Sequence, residues 1–168
     1  MHLVRDALPE ARDPAVLRII CVGNSWRSDD AAGLAVARQL RAAPDDRAEI
    51  VEQEGEPTAL IDSLEHVDAA WIVDAVSSGA EAGTVHRIDA VEHQLPSGLF
   101  GASTHHLGIA DAVELARALG KLPGRLIVYG IEGKSFQAGN DLTPAVAASV
   151  ERVVESLRAE VAELARRT

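Results

Sequence analysis

Cysteine and aromatic residues are scarce in this chain of 168 residues. It contains one cysteine, two tryptophans, one tyrosine and two phenylalanines, so aromatics make up only 3% of the sequence. A single thiol excludes an internal disulfide and any zinc site built from several cysteines. Cys21 stands in the middle of an apolar run, which predicts a buried side chain. Because 47% of the residues are hydrophobic, we expect a folded protein with a mainly aliphatic core.

The sequence also lacks long apolar runs and an excess of positive charge. No stretch approaches the roughly 20 apolar residues of a membrane-spanning helix, and residues 1–15 contain no secretory apolar core. The net charge of -10 disfavours nucleic acids and anionic membranes as partners, since both attract positively charged surfaces. We therefore expect a cytoplasmic protein, with residues 1–15 as a mobile N-terminal extension and residues 16–168 as one domain.

Apolar runs alternate with helical patterns along the chain. Three strand-like runs are apolar enough to be buried on both faces of a sheet, and they occupy residues 16–23, 69–76 and 125–132. Two shorter strand-like runs occupy residues 48–53 and 83–89. Helical spacing is found over about 30–42, 57–65 and 105–119, and again after Thr143 and Pro144, which are typical of a helix start. This alternation predicts an α/β fold, a three-layer α/β/α sandwich around a mostly parallel sheet of about five strands. Residues 90–104 form the longest predicted loop.

Polar residues follow three of these predicted elements. Asp29 and Asp30 come after the first strand, and Asp74 lies near the end of an otherwise apolar strand. His105 and His106 follow the long loop. Acids also stabilise first helical turns, and a histidine at a helix start is more often a cap or a surface group. Asp74 is harder to explain structurally, because a carboxylate in a buried strand is costly unless it is paired or coordinates something.

The three positions are expected to meet, because ligands of parallel α/β sheets bind outside the carboxyl ends of the strands. Two carboxylates and an imidazole suit a borderline metal such as nickel or zinc. The same groups suit acid–base chemistry on a peptide. Spacing does not decide between these two chemistries, and it does not select one acid of the first pair or one of the two histidines.

Several familiar motifs are absent. Gly23 and Asn24 begin a tight turn, but no second glycine completes a dinucleotide fingerprint and no Gly-Lys-Ser/Thr forms a P-loop. No Gly-x-Ser-x-Gly elbow is present.

Trp26 and Arg27 precede the acids and suggest a docking surface, although Trp26 is equally explained as an aromatic residue that covers the core.

The order and spacing of these features resemble the hydrogenase maturation proteases, endopeptidases that act on the large subunit of nickel–iron hydrogenase. Within about residues 17–160, the resemblance is carried by VGNSWRSDDAAG, IVDAVSSGAEAGTVHRID, STHHLGIADAVELARALG and IEGKSFQAGNDLTPAV. It implies a five-stranded α/β/α fold and an enzyme that removes a C-terminal extension from the large-subunit precursor after nickel insertion. It also implies that the substrate carries the nickel, so that the protease has no tightly bound cofactor.

The resemblance further implies roles for individual residues. The family's metal-contacting trio corresponds to Asp30, Asp74 and His105. Asp30 and His105 would hold the substrate's nickel, and Asp74 would be the third ligand or the base. The attacking water would be activated by the metal or by one of the two acids. Substrate contacts are expected at Gly23, Asn24, Asp29, Glu56 and Thr58.

Two other interpretations share some of these features. One is a non-catalytic chaperone that binds a nickel-loaded partner without cleaving it. The other is a peptidyl-tRNA hydrolase, which shares the strand and the Gly-Asn start. Its histidine in the following loop is missing here, and the net charge of -10 suits tRNA poorly. We therefore favour an aspartyl-type endopeptidase of hydrogenase maturation.

Overall fold

One five-stranded sheet organises the protein. The computed structural model describes residues 14–100 and 108–167, and its strands are β1 (Leu17–Val22), β2 (Glu49–Gln53), β3 (Ala69–Val76), β4 (Val85–Asp89) and β5 (Arg125–Glu132). The order across the sheet is β2-β1-β3-β5-β4, and only the pair of β4 and β5 is antiparallel. The five predicted strands and the mostly parallel sheet are confirmed.

Helices cover both faces of this sheet. They are α1 (Ala32–Ala42), α2 (Pro57–Leu64), α3 (Ile109–Ala118) and α4 (Pro144–Arg167). Helices α1 and α4 pack on one face, and α2 and α3 pack on the other. Successive side chains of a strand point to opposite faces of the sheet, so each strand contributes to the hydrophobic core on both faces. In β3, Trp71 and Val73 face α1 and α4, whereas Ile72 faces α2 and α3. The predicted three-layer sandwich is confirmed, and Cys21 is fully buried in β1 as expected.

The first helical segment begins differently from the prediction. A short 3-10 helix, Ser28–Ala31, precedes α1, so the two adjacent acids lie in this tighter turn. The next turn packs very closely on the sheet, because a Cβ atom at Gly33 would lie 2.1 Å from the carbonyl oxygen of Val22 and 2.7 Å from that of Val73. Glycine at this position lets the start of α1 press directly on the backbones of β1 and β3.

Parts of three predicted segments lie outside the described residues, and one of them is residues 101–104 of the loop predicted over 90–104. The helix predicted over 105–119 is observed as α3, which begins after Gly108 and ends before Gly120. Gly120 has a φ of +68°, the left-handed conformation typical of a residue just after a helix. His105 and His106 lie in residues 101–107, which are not described, and the predicted extension lies almost wholly in residues 1–13, which are not described either. No helix in the described part of the chain is both long and apolar enough to cross a membrane.

Candidate functional site

The candidate site lies at the carboxyl ends of β1 and β3, which are neighbours in the sheet. Strand β1 leads through Gly23 into the 3-10 helix that carries Asp30, and this helix packs against β3. Asp74 lies in β3, two residues before the strand ends at Val76. The carboxyl groups of Asp30 and Asp74 interact electrostatically. The structure therefore brings together two of the three predicted metal-contacting residues.

Gly23 and Asn24 hold Asp30 against the end of β1. A Cβ atom on Gly23 would lie 2.5 Å from the backbone carbonyl oxygen of Asp30, so the close approach requires glycine. The backbone N–H of Asn24 donates to that same oxygen over 3.1 Å, and the Asn24 side-chain oxygen accepts a 2.9 Å hydrogen bond from the N–H of Trp26. These contacts explain why the turn needs both residues. Contact of either residue with a substrate stays a prediction.

Asp30 and Asp74 are both partly buried, and both resist ionisation. Burial raises the pKa of Asp30, and the Arg27 guanidinium, 3.7 Å from its carboxylate, lowers it in part. Burial, followed by the charge of Asp30, holds the pKa of Asp74 well above its ordinary value, and a hydrogen bond from the N–H of Ala75 offsets only part of this. A pair of carboxyl groups with raised pKa values is suited to proton transfer or to binding a cation that relieves their repulsion.

Asp29 faces away from this site and is fully buried. Its carboxylate accepts hydrogen bonds from the backbone N–H groups of Lys134 (2.8 Å), Ser135 (3.0 Å) and Thr143 (2.7 Å), and from the Thr143 hydroxyl (2.9 Å). Burial opposes its ionisation, but these bonds outweigh that effect and lower its pKa. The structure therefore contradicts the predicted substrate contact at Asp29, because the carboxylate is enclosed and already bound within the chain. Of the two adjacent acids, Asp30 is the one at the site.

Glu56 and Thr58 lie beyond β2, the strand next to β1. Glu56 is the N-cap of α2, and its carboxylate accepts hydrogen bonds from the N–H groups of Thr58 (3.1 Å) and Ala59 (2.8 Å). Both Glu56 and Thr58 are exposed. The local role of Glu56 is thus to begin the helix, and the predicted substrate contacts at Glu56 and Thr58 stay predictions.

Glu132 is a residue of this region that was not selected from the sequence. It ends β5 and is only 1% exposed. Its carboxylate accepts hydrogen bonds from the N–H of Ser78 (2.7 Å) and of Gly79 (3.1 Å), and it lies 3.3 Å from Nε2 of His86. Glu132 therefore fixes the turn that follows the strand of Asp74. The signal that marked Asp74, an acid near the end of an apolar strand, is also present at Glu132.

Among residues 14–100 and 108–167, no group of three histidine, cysteine, aspartate or glutamate side chains is placed to hold a metal ion. Within the described part of the chain, Asp30 and Asp74 supply two carboxylate groups that could bind a metal ion. His105, the predicted third ligand, lies outside the described residues. The predicted trio as a whole therefore stays a prediction.

Comparisons with known proteins agree with this fold and with the family expected from the sequence. A family model described as hydrogenase maturation protease matches residues 34–160, a range that includes Asp74. The hydrogenase 2 maturation protease of Escherichia coli (strain K12) is 29% identical over 150 residues, which cover 86% of this chain and 90% of that protein.

Solved structures give the same result. The structure of the hydrogenase maturating endopeptidase HybD from E. coli has a TM-score of 0.74 at 28% identity, with 88% of this chain and 93% of that chain covered. The NiFe hydrogenase maturation protease HybD from Thermococcus kodakarensis shares the fold, with a TM-score of 0.68 at 24% identity over 87% of this chain and 99% of that chain. Because the family model covers most of the sequence, the chain belongs to the hydrogenase maturation protease family and is an endopeptidase.

Proposed function

We propose that this protein is an aspartyl-type endopeptidase that removes the C-terminal extension of a nickel–iron hydrogenase large-subunit precursor, and that Asp30 and Asp74 receive the nickel that the precursor carries. The observation that carries the proposal is the pair of partly buried, electrostatically coupled carboxyl groups at the carboxyl edge of the sheet. Membership of the hydrogenase maturation protease family supplies the reaction class.

The chemistry of the two acids suits a cation that arrives with the substrate. Their negative charges oppose each other, so a divalent ion between them would favour the ionised form of both. Carboxylate oxygens together with the imidazole of His105 suit borderline metals such as nickel. Three protein ligands would leave coordination positions for groups of the precursor itself, and the protease would need no resident metal.

The different surroundings of the two acids support different roles. The ion pair with Arg27 favours the charged form of Asp30, which is the form that a metal ligand needs. Asp74 has no such cation beside it among the described residues, and its pKa is raised well above the ordinary value by burial and by Asp30. A carboxyl group with a raised pKa is the better general base near neutral pH. We therefore assign nickel binding to Asp30. Asp74 would act as the general base that takes a proton from the attacking water. In the alternative role, Asp74 would be the third nickel ligand.

The test is a mass-spectrometric cleavage assay with nickel-loaded and nickel-free precursor. We expect the wild-type protein to release a C-terminal peptide from the loaded precursor only. Asp74→Asn should lower the cleavage rate by about 100-fold or more while the variant still binds the precursor. Asp46→Asn is the matched control, because Asp46 is exposed and lies before β2, at the opposite edge of the sheet.

Each alternative has its own outcome in this assay. Equal cleavage of both precursor forms would show that nickel does not trigger the reaction. Binding of the loaded precursor without any cleavage would replace the endopeptidase with the nickel-recognising chaperone. An Asp74→Asn variant that cleaves at the wild-type rate would remove Asp74 from the mechanism.

A further inference from the structure

Trp26 is exposed next to the candidate site. Its surface is 72% exposed, whereas Trp71, the other tryptophan, is completely buried. Three further large hydrophobic residues of the described chain are exposed, and all are smaller: Val16, Leu115 and Leu119. The alternative in which Trp26 covers the core is therefore wrong. An indole ring of this size offers a large apolar contact area to a partner.

Hydrogen bonds on both sides hold the backbone of Trp26 in place. Its N–H donates to the side-chain oxygen of Asn24 over 2.9 Å, and its carbonyl oxygen accepts from the N–H of Gly139 over 3.0 Å. Arg27 continues this contact as a β-bridge to Gly139, and its Nε donates to the carbonyl oxygen of Phe136 over 3.3 Å. A side chain on such a fixed turn loses less conformational entropy when it binds than one on a mobile loop.

The same turn also fixes Asp30. The N–H of Asn24 donates to the carbonyl oxygen of Asp30, and Arg27 forms its ion pair with the Asp30 carboxylate. Trp26 and Asp30 thus belong to one hydrogen-bonded unit. A protein segment that docks on Trp26 would be held at a defined distance from the site.

On the basis of the proposed function, we propose that Trp26 anchors an apolar side chain of the hydrogenase precursor, next to the segment that enters the Asp30–Asp74 site. The backbone groups of Trp26 are already paired, and the Arg27 side chain is engaged by Asp30 and Phe136. What the turn offers to a partner is therefore mainly the indole, with its large apolar faces and one N–H donor. Tryptophan is also among the residue types that dominate binding energy at protein interfaces. Trp26 should thus determine how tightly the precursor binds, and not how fast it is cleaved.

The experiment measures binding and cleavage separately. Precursor affinity is determined by calorimetry with the Asp74→Asn protein, with and without Trp26→Ala, and KM and kcat are determined with the single Trp26→Ala variant. We expect Trp26→Ala to weaken binding and to raise KM by about tenfold or more, with kcat changed by less than about twofold. Trp26→Leu, which keeps an apolar side chain, should bind the precursor more tightly than Trp26→Ala and less tightly than the protein with Trp26. Leu119→Ala, which removes a residue 56% exposed beside α3, should change neither quantity.

Several results would overturn this proposal. Unchanged affinity and KM in Trp26→Ala would show that the indole does not contact the precursor. A fall in kcat at constant KM would show that the turn only positions Asp30. A change in self-association of Trp26→Ala on size-exclusion chromatography, without a change in precursor affinity, would mean that Trp26 contacts a second copy of this chain.

Failure of the proposed function gives a different result. If the wild-type protein binds the precursor through Trp26 but cleaves nothing, the protease function fails and the anchor stands. If the wild-type protein neither binds nor cleaves, both proposals fail. Thermal melting of each variant shows whether a loss of binding reflects a loss of folding.

Discussion

Asp29 and Asp30 show how strongly surroundings decide the chemistry of a side chain. The two are adjacent in sequence and identical in type. Asp29 is enclosed by donated hydrogen bonds, so its pKa is lowered although burial opposes this. Asp30 is partly buried with one cation at 3.7 Å, and its pKa is raised. One acid therefore stabilises the fold, and the other is available for a ligand.

Asp74 is an acid whose ionisation works against folding. Its pKa in the folded protein lies above the ordinary value of 3.8, first because of burial and then because of Asp30. At a pH between the pKa of Asp74 in the unfolded chain and its higher pKa in the folded protein, the unfolded chain releases a proton that the folded protein keeps. A rise in pH through this range therefore favours the unfolded state. Asparagine has the same shape and does not titrate. The melting temperature of Asp74→Asn should therefore increase relative to wild type as the pH is raised from about 4 to about 7.

Thermal melts across this pH range test the expectation, with Asp46→Asn as the exposed control. A constant difference in melting temperature between Asp74→Asn and wild type at every pH would contradict it. A stabilised variant that no longer cleaves would fit the general trade-off between stability and activity at functional sites.

Two loops at the carboxyl edge of the sheet are joined by hydrogen bonds. The loop after β1 and the loop after β5 are joined through Asp29, which binds backbone N–H groups of Lys134, Ser135 and Thr143. Ser28 adds a hydrogen bond from its hydroxyl to the carbonyl oxygen of Gln137 over 3.0 Å. Because the first loop also carries Trp26 and Asp30, the second loop helps to hold both residues in place.

Asp29→Asn should loosen this junction. The amide offers an NH2 group where the backbone donors need an acceptor, and it removes the charge that strengthens their hydrogen bonds. We expect the free energy of unfolding to fall by about 2–4 kcal/mol and cleavage to weaken as the 3-10 helix loses its support. Ser28→Ala, the control, loses one neutral hydrogen bond and should cost about 1 kcal/mol. Urea unfolding measures both changes, and equal losses in the two variants would contradict the prediction.

At the scale of the whole molecule, the α4 layer is attached to the sheet by a partly buried charge network away from the site. Glu160 of α4 accepts hydrogen bonds from the indole N–H of Trp71 (2.9 Å), the Nε of Arg87 (2.9 Å) and the hydroxyl of Tyr129. Burial opposes ionisation of Glu160, but these partners outweigh it and lower its pKa to about 2. Burial and the contact with Glu160 raise the pKa of Tyr129 to about 12.

Glu160 should therefore contribute to the acid sensitivity of the fold. Its folded pKa of about 2 lies below the ordinary value of 4.5, so its stabilisation is complete above about pH 4.5 and is lost as the pH falls towards 2. The melting temperature of Glu160→Gln should lie below that of wild type near neutral pH, and the gap should narrow in acid. Glu151→Gln, at an exposed position of the same helix, should show no such trend. A gap that stays constant down to about pH 2 would refute the assignment.

Much of this architecture follows from local patterns in the sequence. The apolar runs of β1, β3 and β5 and the stripe of α4 are visible because burial imposes a period on neighbouring residues. Asp74 was found for the same reason, since a carboxylate inside an apolar strand interrupts that pattern. The cytoplasmic location and the lack of nucleic-acid or membrane partners are expectations from composition and stay predictions.

The tertiary structure decided what depends on residues far apart in the chain. It separated Asp29 from Asp30, because the partners of Asp29 lie 105 to 114 positions away. It left Trp26 exposed, which no local pattern reports, and it gave the Glu132 carboxylate partners that lie 46 to 54 positions away. The sequence by itself determined the layers of the fold and the strand that carries an acid. The choice between neighbouring acids was made by long-range hydrogen bonds, because the surroundings of a carboxyl group fix its charge and its accessibility.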